Sequence, residues 1–430
     1  MEISHLADEV IKSPYFQRLR RIKQLGFCEF IFPCATHSRF IHSIGVMHVA
    51  NKCFQKIFRH IPTKNSKERE RIQLTFELAA LLHDIGHAPL SHSTELNMPE
   101  VSKLKLPAIY HNAAQKRQAT HEDYTLKIIL DSELSLILKN HGKKYGIKIN
   151  HIADLILGQN FDSSAFLLDG IDYFPLLHQL ISSEVDCDRM DYLLRDSYFC
   201  GVSYGQFDLD WLINNLNFVV INHKAFLAIN ERAISTFDDF LISRYHMFVM
   251  VYFHYKSVCL EQMLYRYFQS PDNEYNIPAN IEEYIKHDDH FLFQILSQST
   301  NTWAQRICHL QLPPKIFEYF GNQTADKFQF KTWQKILKKN DLDFIIGTSE
   351  GRLSKYAHNK NLHNDPIQVF RENINGQKIQ IRPINECTDL YEKYAKSHAI
   401  GRIHLDYEQL PTKKWDQVQF QVAQELKKNQ

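Results

Sequence analysis

The decapeptide HDIGHAPLSH, residues 83–92, decides how this chain is interpreted. Neighbouring positions on an α-helix diverge by about 100°, so His83 and Asp84 can bind one ion together only near a helix end, where the backbone is free to adjust. Gly86 supplies such an end after the helical run FELAALL. His87 lies four residues after His83, on the same helical face. The stretch therefore predicts a metal or phosphate pocket where this helix ends.

Two further candidate ligands lie outside this stretch. One is a histidine in THSRFIHS, residues 36–43, and the other is an aspartate in EVDCDRMDY, residues 184–192. Acids are seldom placed at core-like helix positions unless they bind something. Imidazole nitrogens and carboxylate oxygens are the usual ligands of a divalent ion that activates water. The predicted ligands are His42, His83, Asp84 and Asp188.

Each of these residues also has a simpler interpretation. An isolated His-Asp pair carries no information, and a lone His42 is more often a capping or surface residue. The acids around Asp188 would also suit ion pairs with Arg189 and Arg195. The joint pattern, with arginines beside the ligands, is what favours a metal.

The composition sets limits on class and partners. The chain has 430 residues, 44% hydrophobic and 23% charged, with a net charge of +1. These values are typical of a globular protein. The net charge is too small to attract nucleic acid or a membrane surface by itself. The start carries acids at Glu2, Asp8 and Glu9, which does not suit a signal peptide. Eight scattered cysteines without a CxxC pair indicate free thiols, and we expect a cytoplasmic protein.

Hydrophobic periodicity predicts a mainly α fold, a helical core with a small β-hairpin plus a smaller α+β C-terminal region. The hairpin is expected at 218–229, and residues 231–269 are expected to form one long helix. A second hairpin, with a turn at Asn375-Gly376, is expected at 367–384. We place a core domain at 1–270 and a C-terminal region for oligomerisation or regulation at 271–430.

Six motifs in order carry a resemblance to a known family. The motifs are FQRLRRIKQLG, THSRFIHSIGV, LLHDIGHAPLSHSTE, THED, SEVDCDRMDYLLRDSYFCG and SRYHMFVMVYFHYKSV. Together they span about Tyr15 to Phe268, and over this range the chain resembles HD-domain deoxynucleoside triphosphate triphosphohydrolases. These include bacterial enzymes and an animal enzyme that joins a sterile-alpha-motif to an HD domain. The resemblance implies an HD-domain helical core.

The resemblance also implies residue roles. It matches His42, His83, Asp84 and Asp188 to the metal ligands, and His87 and His121 to histidines at the phosphate site. His92 matches a general acid, and Glu95 matches the acid that orients it. The residues matched to phosphate contacts are Arg39, Arg189, Tyr192 and Arg244. The residues matched to the sugar pocket are Gln24, Leu25, Tyr252 and Asp196, with His254 on the same wall.

The chemistry of these residues suits hydrolysis of a (deoxy)nucleoside triphosphate to a nucleoside and inorganic triphosphate. A divalent ion, Mg²⁺ or Mn²⁺ in the first place and Fe, Ni or Zn as alternatives, polarises phosphate and activates water. Guanidinium forks match phosphate oxygens. A histidine such as His92 can protonate the leaving 5′-oxygen.

Two alternatives remain open at this point. A different HD enzyme, a nucleotidase or a cyclic-nucleotide phosphodiesterase, would share the metal site without needing three arginines. A nucleotide-sensing or nucleic-acid-binding protein with an idle site would use the Lys-rich stretch 139–148.

The resemblance implies further partners. It suggests a homo-oligomer, a dimer or tetramer, and a nucleotide effector. The position that reads guanine in the animal enzyme is Lys12 here, so we do not expect guanine-nucleotide activation of that type. No membrane partner is expected.

Overall fold

The computed structural model describes residues 3–59, 61, 65–110, 116–321, 323–351, 367–373, 376–388, 390 and 398–428, and it is mainly helical. The predicted class, a helical core with a small hairpin and a smaller α+β region, is confirmed. Within these residues, no helix combines the length and the apolar character that crossing a membrane requires. All eight cysteines are free thiols.

Helices supply most of the described chain. The α-helices are α1 His5–Lys12, α2 Pro14–Gln17, α3 Arg39–Phe58, α4 Ser66–Leu82, α5 His121–Leu130, α6 Glu133–Gly142, α7 Ile149–Leu157, α8 Phe174–Ile181, α9 Cys187–Cys200, α10 Leu209–Asn214, α11 Ile234–Met247, α12 Tyr255–Gln269, α13 Ile281–Tyr284, α14 Asp289–Gln298, α15 Thr302–Cys308, α16 Thr324–Lys339 and α17 Thr412–Lys427. The 3₁₀ helices are Arg18–Arg21, Gly26–Phe30, Ser91–Asn97, Val101–Leu104, Lys143–Tyr145, Glu231–Ala233, Ile384–Glu386 and Tyr407–Gln409.

Two small sheets complete the described fold. The strands are β1 Leu167–Leu168, β2 Ile171–Asp172, β3 Leu216–Ile221, β4 Lys224–Asn230, β5 Lys315–Phe320, β6 Ile345–Gly351, β7 Gln368–Glu372, β8 Lys378–Pro383 and β9 His398–His404. The first sheet has the order β1-β2-β4-β7-β8, with β3 paired to β4 outside this path. The second has the antiparallel order β5-β9-β6.

Both predicted hairpins are confirmed as antiparallel pairs. β3 and β4 pair from Leu216–Ile229 to Ile221–Lys224. β7 pairs with β8, and β7 also lies parallel to β4. Asn375 of the predicted turn lies outside the described residues. The second hairpin therefore extends the sheet of the first, although about 140 residues separate them in the chain.

Two large hydrophobic cores organise the described residues, and a small third cluster lies on strands β3, β4 and β7. The larger runs from Leu6 to Ile384 and includes almost every helix up to α15. The smaller joins β5, β9, α16 and α17 around Leu337 and Ile403. The division of the chain at residue 270 stays a prediction. The larger core continues past that point, since Leu296 and Ile307 belong to it.

The predicted long helix over 231–269 is wrong. α11 ends at Met247, a π-helical turn follows at Phe248–Tyr252, and α12 begins at Tyr255. His254 has extended backbone angles and its ring nitrogen accepts a hydrogen bond from the Lys256 amide, so it caps the second helix. Apolar and aromatic residues continue through this break, and hydrophobic periodicity alone therefore does not reveal it.

Candidate metal centre and adjoining cavity

The four predicted ligands converge at the ends of three helices. His42 lies in the first turn of α3, Asp188 lies in the first turn of α9, and His83 and Asp84 directly follow α4. His42 Nε2 lies 2.9 Å from Asp188 Oδ1 and 3.5 Å from Asp84 Oδ2. His83 Nε2 lies 3.6 Å from Asp188 Oδ1 and 3.4 Å from Asp84 Oδ1. Two imidazoles and two carboxylates therefore face one small space.

Both imidazoles present a nitrogen to that space. Within the part of the chain that the structure describes, the buried Nε2 atoms of His42 and His83 have no hydrogen-bond partner. Their opposite nitrogens are held: His42 Nδ1 lies 2.9 Å from Asp191 Oδ2, and His83 Nδ1 lies 2.8 Å from the Ala80 carbonyl oxygen. Fixing the second nitrogen by a carboxylate or carbonyl is the usual arrangement for a metal-binding histidine. The residues present therefore fit a divalent cation.

The carboxylates of this centre are ionised despite their burial. Burial raises the pKa of the Asp84 carboxyl, but Arg39 and His83 outweigh it and hold that pKa well below its usual range. Burial also raises the pKa of Asp188, but the nearby imidazoles of His42 and His83 outweigh it and hold that pKa well below its usual range. The centre thus concentrates negative charge, which favours a cation.

Glycines allow the helices of the site to approach closely. A Cβ on Gly45 of α3 would lie 2.0 Å from Asp191 Oδ1 of α9. A Cβ on Gly86 would lie 2.2 Å from the His121 carbonyl oxygen and 2.3 Å from the Thr125 amide nitrogen, both on α5. The first approach joins two helices of the metal centre. The second brings α5 beside it.

We expect Gly86→Ala to lower the free energy of unfolding by about 1–3 kcal/mol, as overpacking typically does. The added methyl group meets backbone atoms of α5, which cannot rotate away. Urea unfolding measures the effect. Gly142→Ala is the matched control, because its Cβ would lie 3.3 Å from the Ile147 Cβ, a contact that a shift of a few tenths of an ångström relieves. Wild-type stability of Gly86→Ala would contradict the close approach of α5.

A second group of histidines lies beside the metal centre. The His87 ring stacks on the His121 ring with centroids 4.0 Å apart, and His92 meets these two rings edge-on at 4.8 Å and 5.2 Å. His87 Nε2 lies 3.2 Å from Asp84 Oδ1. A Glu95 carboxylate oxygen is hydrogen-bonded to His121 Nδ1, and the other lies 3.4 Å from His92 Nδ1.

The titratable side chains of this group differ in how readily they bind a proton. Burial, Arg39 and His121 lower the pKa of His87 well below its usual value. Burial also lowers the pKa of His121, but Glu95 outweighs it and raises the pKa overall. Burial raises the pKa of Glu95, and its bonds to the two histidines hold that pKa below its usual range. The site therefore pairs a neutral imidazole with one that holds a proton readily.

A cavity of about 390 Å³ opens over the metal centre. The predicted site residues that line it are Gln24, Leu25, Arg39, Asp84, His87, His92, His121, Asp188, Tyr192, Asp196 and Tyr252. The other lining residues are Gly26, Cys28, Leu90, Ser91, Ser93, Phe248, Ser257 and Glu261. Leu25, Phe248 and Tyr252 are among the large apolar and aromatic side chains on the cavity wall.

Arg39 is fixed on the cavity wall. Its guanidinium bonds Asp84, its Nε donates to Ser91 Oγ at 2.9 Å, and it donates to the Gln24 carbonyl oxygen at 3.4 Å. The side chain is 6% exposed. A guanidinium held on three sides is a preorganised donor for a group bound at the metal centre.

Arg189 and Arg244 take a different position. Both are buried, and both bond Glu184 Oε2, at 2.9 Å and 3.0 Å. They are not among the residues that line the cavity. The Arg244 guanidinium lies 5.5 Å from the centroid of Phe248, which does line it. The two arginines are thus brought together behind the cavity wall, anchored by one carboxylate.

Of the residues matched to the sugar pocket, all but His254 line the cavity. Asp196 accepts a hydrogen bond from the Tyr252 hydroxyl at 2.8 Å, and its other oxygen lies 2.7 Å from His37 Nε2. Gln24 and Leu25 lie on the cavity wall. His254 does not line the cavity and instead meets Phe32 edge-on at 6.0 Å. Its sugar-pocket role stays a prediction.

Sequence reasoning missed several residues that shape the site. Asp191 orients His42, and Glu184 anchors the two arginines. Asp191 lies one helical turn after Asp188, and this spacing could have marked it. Glu261 lines the cavity, and burial raises its pKa to about 7. No local pattern distinguishes Glu261 from a solvated acid on helix α12.

Comparison with known proteins identifies two regions. Residues 39–196 match the family model described as HD domain, and residues 207–314 match the one described as HD associated region. A protein named deoxynucleoside triphosphate triphosphohydrolase SAMHD1 homolog, from Dictyostelium discoideum, is 36% identical over 206 residues. The uncharacterized protein YwfO of Bacillus subtilis is also 36% identical over 206 residues.

These similarities cover different shares of each protein. The alignments span 47% and 48% of this chain but only 35% of the Dictyostelium protein and 39% of YwfO. The chain thus spans well under half the length of these curated relatives. A solved structure of a hypothetical protein from Aquifex aeolicus matches over 98% of this chain and 96% of its own, with 27% identity and a TM-score of 0.70.

Proposed function

Because residues 39–196 match the HD domain, we propose that this chain is a metal-dependent phosphohydrolase of (deoxy)nucleoside triphosphates. Its products are a nucleoside and inorganic triphosphate. The observation that carries the proposal is the pair of buried Nε2 atoms, on His42 and His83, that face two ionised carboxylates without a hydrogen bond in the described chain. Buried imidazoles in that state are explained by a bound cation.

The metal centre uses His42, His83, Asp84 and Asp188 as ligands. A divalent cation bound there polarises a phosphoryl oxygen and lowers the pKa of bound water. Asp191 keeps His42 in the tautomer that presents Nε2, and the Ala80 carbonyl does the same for His83. We propose Mg²⁺ or Mn²⁺ as the native ion, with Fe, Ni or Zn as alternatives.

The neighbouring side chains neutralise phosphate and move a proton. Arg39 lies on the cavity wall beside Asp84, where its guanidinium meets a phosphate at the centre. His121, whose pKa Glu95 raises, adds positive charge on the same wall when it is protonated. His92 is the proposed general acid for the leaving 5′-oxygen. Its side chain is 66% exposed and is oriented by Glu95, so it can reach a substrate that enters from solvent.

Replacing Arg244 tests the proposed preference for triphosphate over monophosphate substrates. We expect Arg244→Ala to lower kcat/KM for triphosphates about tenfold more than for monophosphates, because in this proposal only the distal phosphates contact the Arg244 guanidinium. Colorimetric assays of both substrates measure the ratio. Arg266→Ala is the control, because Arg266 pairs with the exposed Asp343. Equal losses on both substrates would indicate a purely structural Arg244.

A second candidate function is supported by the same arginines. Arg189 and Arg244 engage Glu184 rather than the cavity. A substrate with a shorter phosphate group would leave that network undisturbed. We therefore retain a nucleotidase or cyclic-nucleotide phosphodiesterase of the HD superfamily as the alternative.

The apolar part of the cavity wall is the basis for a proposal about which sugar the substrate carries. Leu25 and Tyr252 line the cavity beside Asp196, and close packing against the sugar C2′ would exclude a 2′-hydroxyl. We propose deoxynucleotides as the preferred substrates, a homo-oligomer as the working form, and a nucleotide as an effector. Binding of nucleic acid to the Lys-rich stretch 139–148 stays an untested alternative; within that stretch, Lys148 pairs with Asp162.

The deciding experiment is a profile of metals against nucleotides. Purified protein is supplied with each metal and with dATP, ATP, dAMP and a cyclic nucleotide, and the products are separated by ion chromatography. Inorganic triphosphate from dATP supports the proposal. Orthophosphate from dAMP alone, or opening of the cyclic nucleotide alone, supports the alternative. Absence of turnover with every pair would refute both.

A further inference from the structure

The loop that carries His92 has an unusual backbone. Leu90 and Ser91 both adopt left-handed angles, with φ of 55° and 57°. This region is unfavourable for residues with a side chain, and two in succession require support from the surrounding structure. The loop matters for the site because Ser91 accepts the Arg39 hydrogen bond and because His92 follows directly.

The support comes from Asp289, at the beginning of α14. Its carboxylate is 5% exposed and accepts hydrogen bonds from two backbone amides. Oδ1 accepts from Leu90 at 2.7 Å, and Oδ2 accepts from Lys23 at 2.8 Å. Lys23 precedes Gln24 and Leu25, which line the cavity. One carboxylate therefore joins both loops that form this wall.

The two loops are also joined to each other. Ser91 Oγ donates to the Lys23 carbonyl oxygen at 2.7 Å and receives the Arg39 Nε hydrogen bond at 2.9 Å. Displacement of the Leu90–Ser91 turn would therefore move the support of Arg39. Tyr284, in the same region as Asp289, donates its hydroxyl hydrogen bond to the Gly86 carbonyl oxygen at 2.7 Å.

We propose that Asp289 is a positioning residue that holds the strained Leu90–Ser91 turn and the Lys23 loop in the geometry that Arg39 and His92 require. The inference rests on the proposed function for its catalytic consequence. Asp289 lies in the HD associated region, at 207–314, whereas the metal ligands lie in the HD domain. The associated region thus completes the active site from outside the HD domain.

Carboxylate chemistry explains why an aspartate is needed. A carboxylate offers acceptor lone pairs on both oxygens, so it can bind two amides at once. An asparagine offers one oxygen, and its NH₂ group would face the second amide donor. Burial raises the pKa of Asp289 to about 7, and the Leu90 and Lys23 amides act in the opposite direction.

The test compares Asp289→Asn with Asp288→Asn. Asp288 is the neighbouring residue and caps α14 through the Phe291 amide at 2.9 Å, a role that asparagine also fills. Hydrogen exchange followed by mass spectrometry is measured over peptides containing Lys23–Leu25 and Leu90–His92. We expect at least about tenfold faster exchange of the Leu90 and Lys23 amides in Asp289→Asn only. Unchanged exchange, or equal changes in both variants, would overturn the proposal.

A kinetic measurement separates this inference from the proposed function. With dATP and Mn²⁺, Asp289→Asn should lower kcat about 10–100-fold, with wild-type metal content, and Asp289→Glu should recover part of the loss because it restores a carboxylate. A loss confined to KM, or one that follows loss of metal, would overturn the positioning role. If the wild type hydrolyses no nucleotide, the proposed function fails, and the exchange measurement still decides the role of Asp289. If Asp289→Asn does not fold, the same exchange comparison is made with Asp289→Ala, which removes both acceptor oxygens. Wild-type exchange of the Leu90 and Lys23 amides in that variant would overturn the proposal.

Discussion

Replacing His83 and Asp84 together with alanine is expected to remove the bound metal and to lower turnover by about three orders of magnitude or more. Losses of that size follow when a group essential to the chemistry is deleted. The two side chains supply half of the proposed ligands, and Asp84 also bonds Arg39. Metal content is measured by inductively coupled plasma mass spectrometry after dialysis, and turnover is measured with dATP under saturating Mn²⁺.

The control removes the same residue types elsewhere. His5, Asp8 and Glu9 form another cluster that could hold a metal, on the exposed face of α1. His5→Ala with Asp8→Ala should keep both the metal content and the turnover of the wild type. Loss of metal in this control, or retained turnover in the first double variant, would contradict the assigned centre.

Glu184→Ala is expected to destabilise the fold by about 3–5 kcal/mol, the cost of breaking a buried charge pair. Glu184 is fully buried and its carboxylate is shared by Arg189 and Arg244. Its removal leaves two buried guanidinium groups to rely on weaker partners, such as Asp186 at 3.4 Å from Arg189. Urea unfolding at pH 7 measures the change.

The control for this prediction is Asp343→Ala. Asp343 also pairs with an arginine, Arg266 at 2.6 Å, but its side chain is 73% exposed. We expect a change of at most about 1 kcal/mol, as for other surface ion pairs. Inorganic triphosphate should raise the melting temperature of Glu184→Ala more than that of the control if the two arginines bind phosphate. Similar stability of both variants would contradict the buried position of Glu184.

The metal centre could be predicted because its chemistry is local. His83 and Asp84 are adjacent at a helix end, and Asp188 is an acid in an apolar helix. Such placements conflict with ordinary core packing and therefore stand out in the sequence. The structure brings Asp84 and Asp188 to 3.5 Å and 2.9 Å from Nε2 of His42, which lies in the first turn of another helix.

The side chains that hold the site residues in place could not be predicted, because they lie far from those residues in the sequence. Glu184 meets Arg244 across 60 residues, and Asp289 meets Lys23 across 266. Neither acid has a neighbouring pattern that reveals its partner. Only the packing of α14 against the loops of the metal centre creates the contact with Asp289.

Helix ends were the weakest part of the fold prediction. Apolar periodicity runs through residues 9–24, 121–139 and 281–297, yet each stretch is divided by a polar side chain that caps the following helix. These capping residues are Ser13, Ser132 and Asp288. Apolar residues continue on both sides of each cap, so the periodic pattern persists where the backbone ends its hydrogen-bonded turn. The β-hairpins were easier, since alternation and a turn occur together.

The position of the bound ion tests the central claim most directly. Crystals grown with Mn²⁺ should give one strong anomalous peak within about 2.0–2.3 Å of the Nε2 atoms of His42 and His83 and of oxygens of Asp84 and Asp188. A peak among His87, His92, Glu95 and His121, which also form a candidate group, with none at the first four residues, would contradict the account.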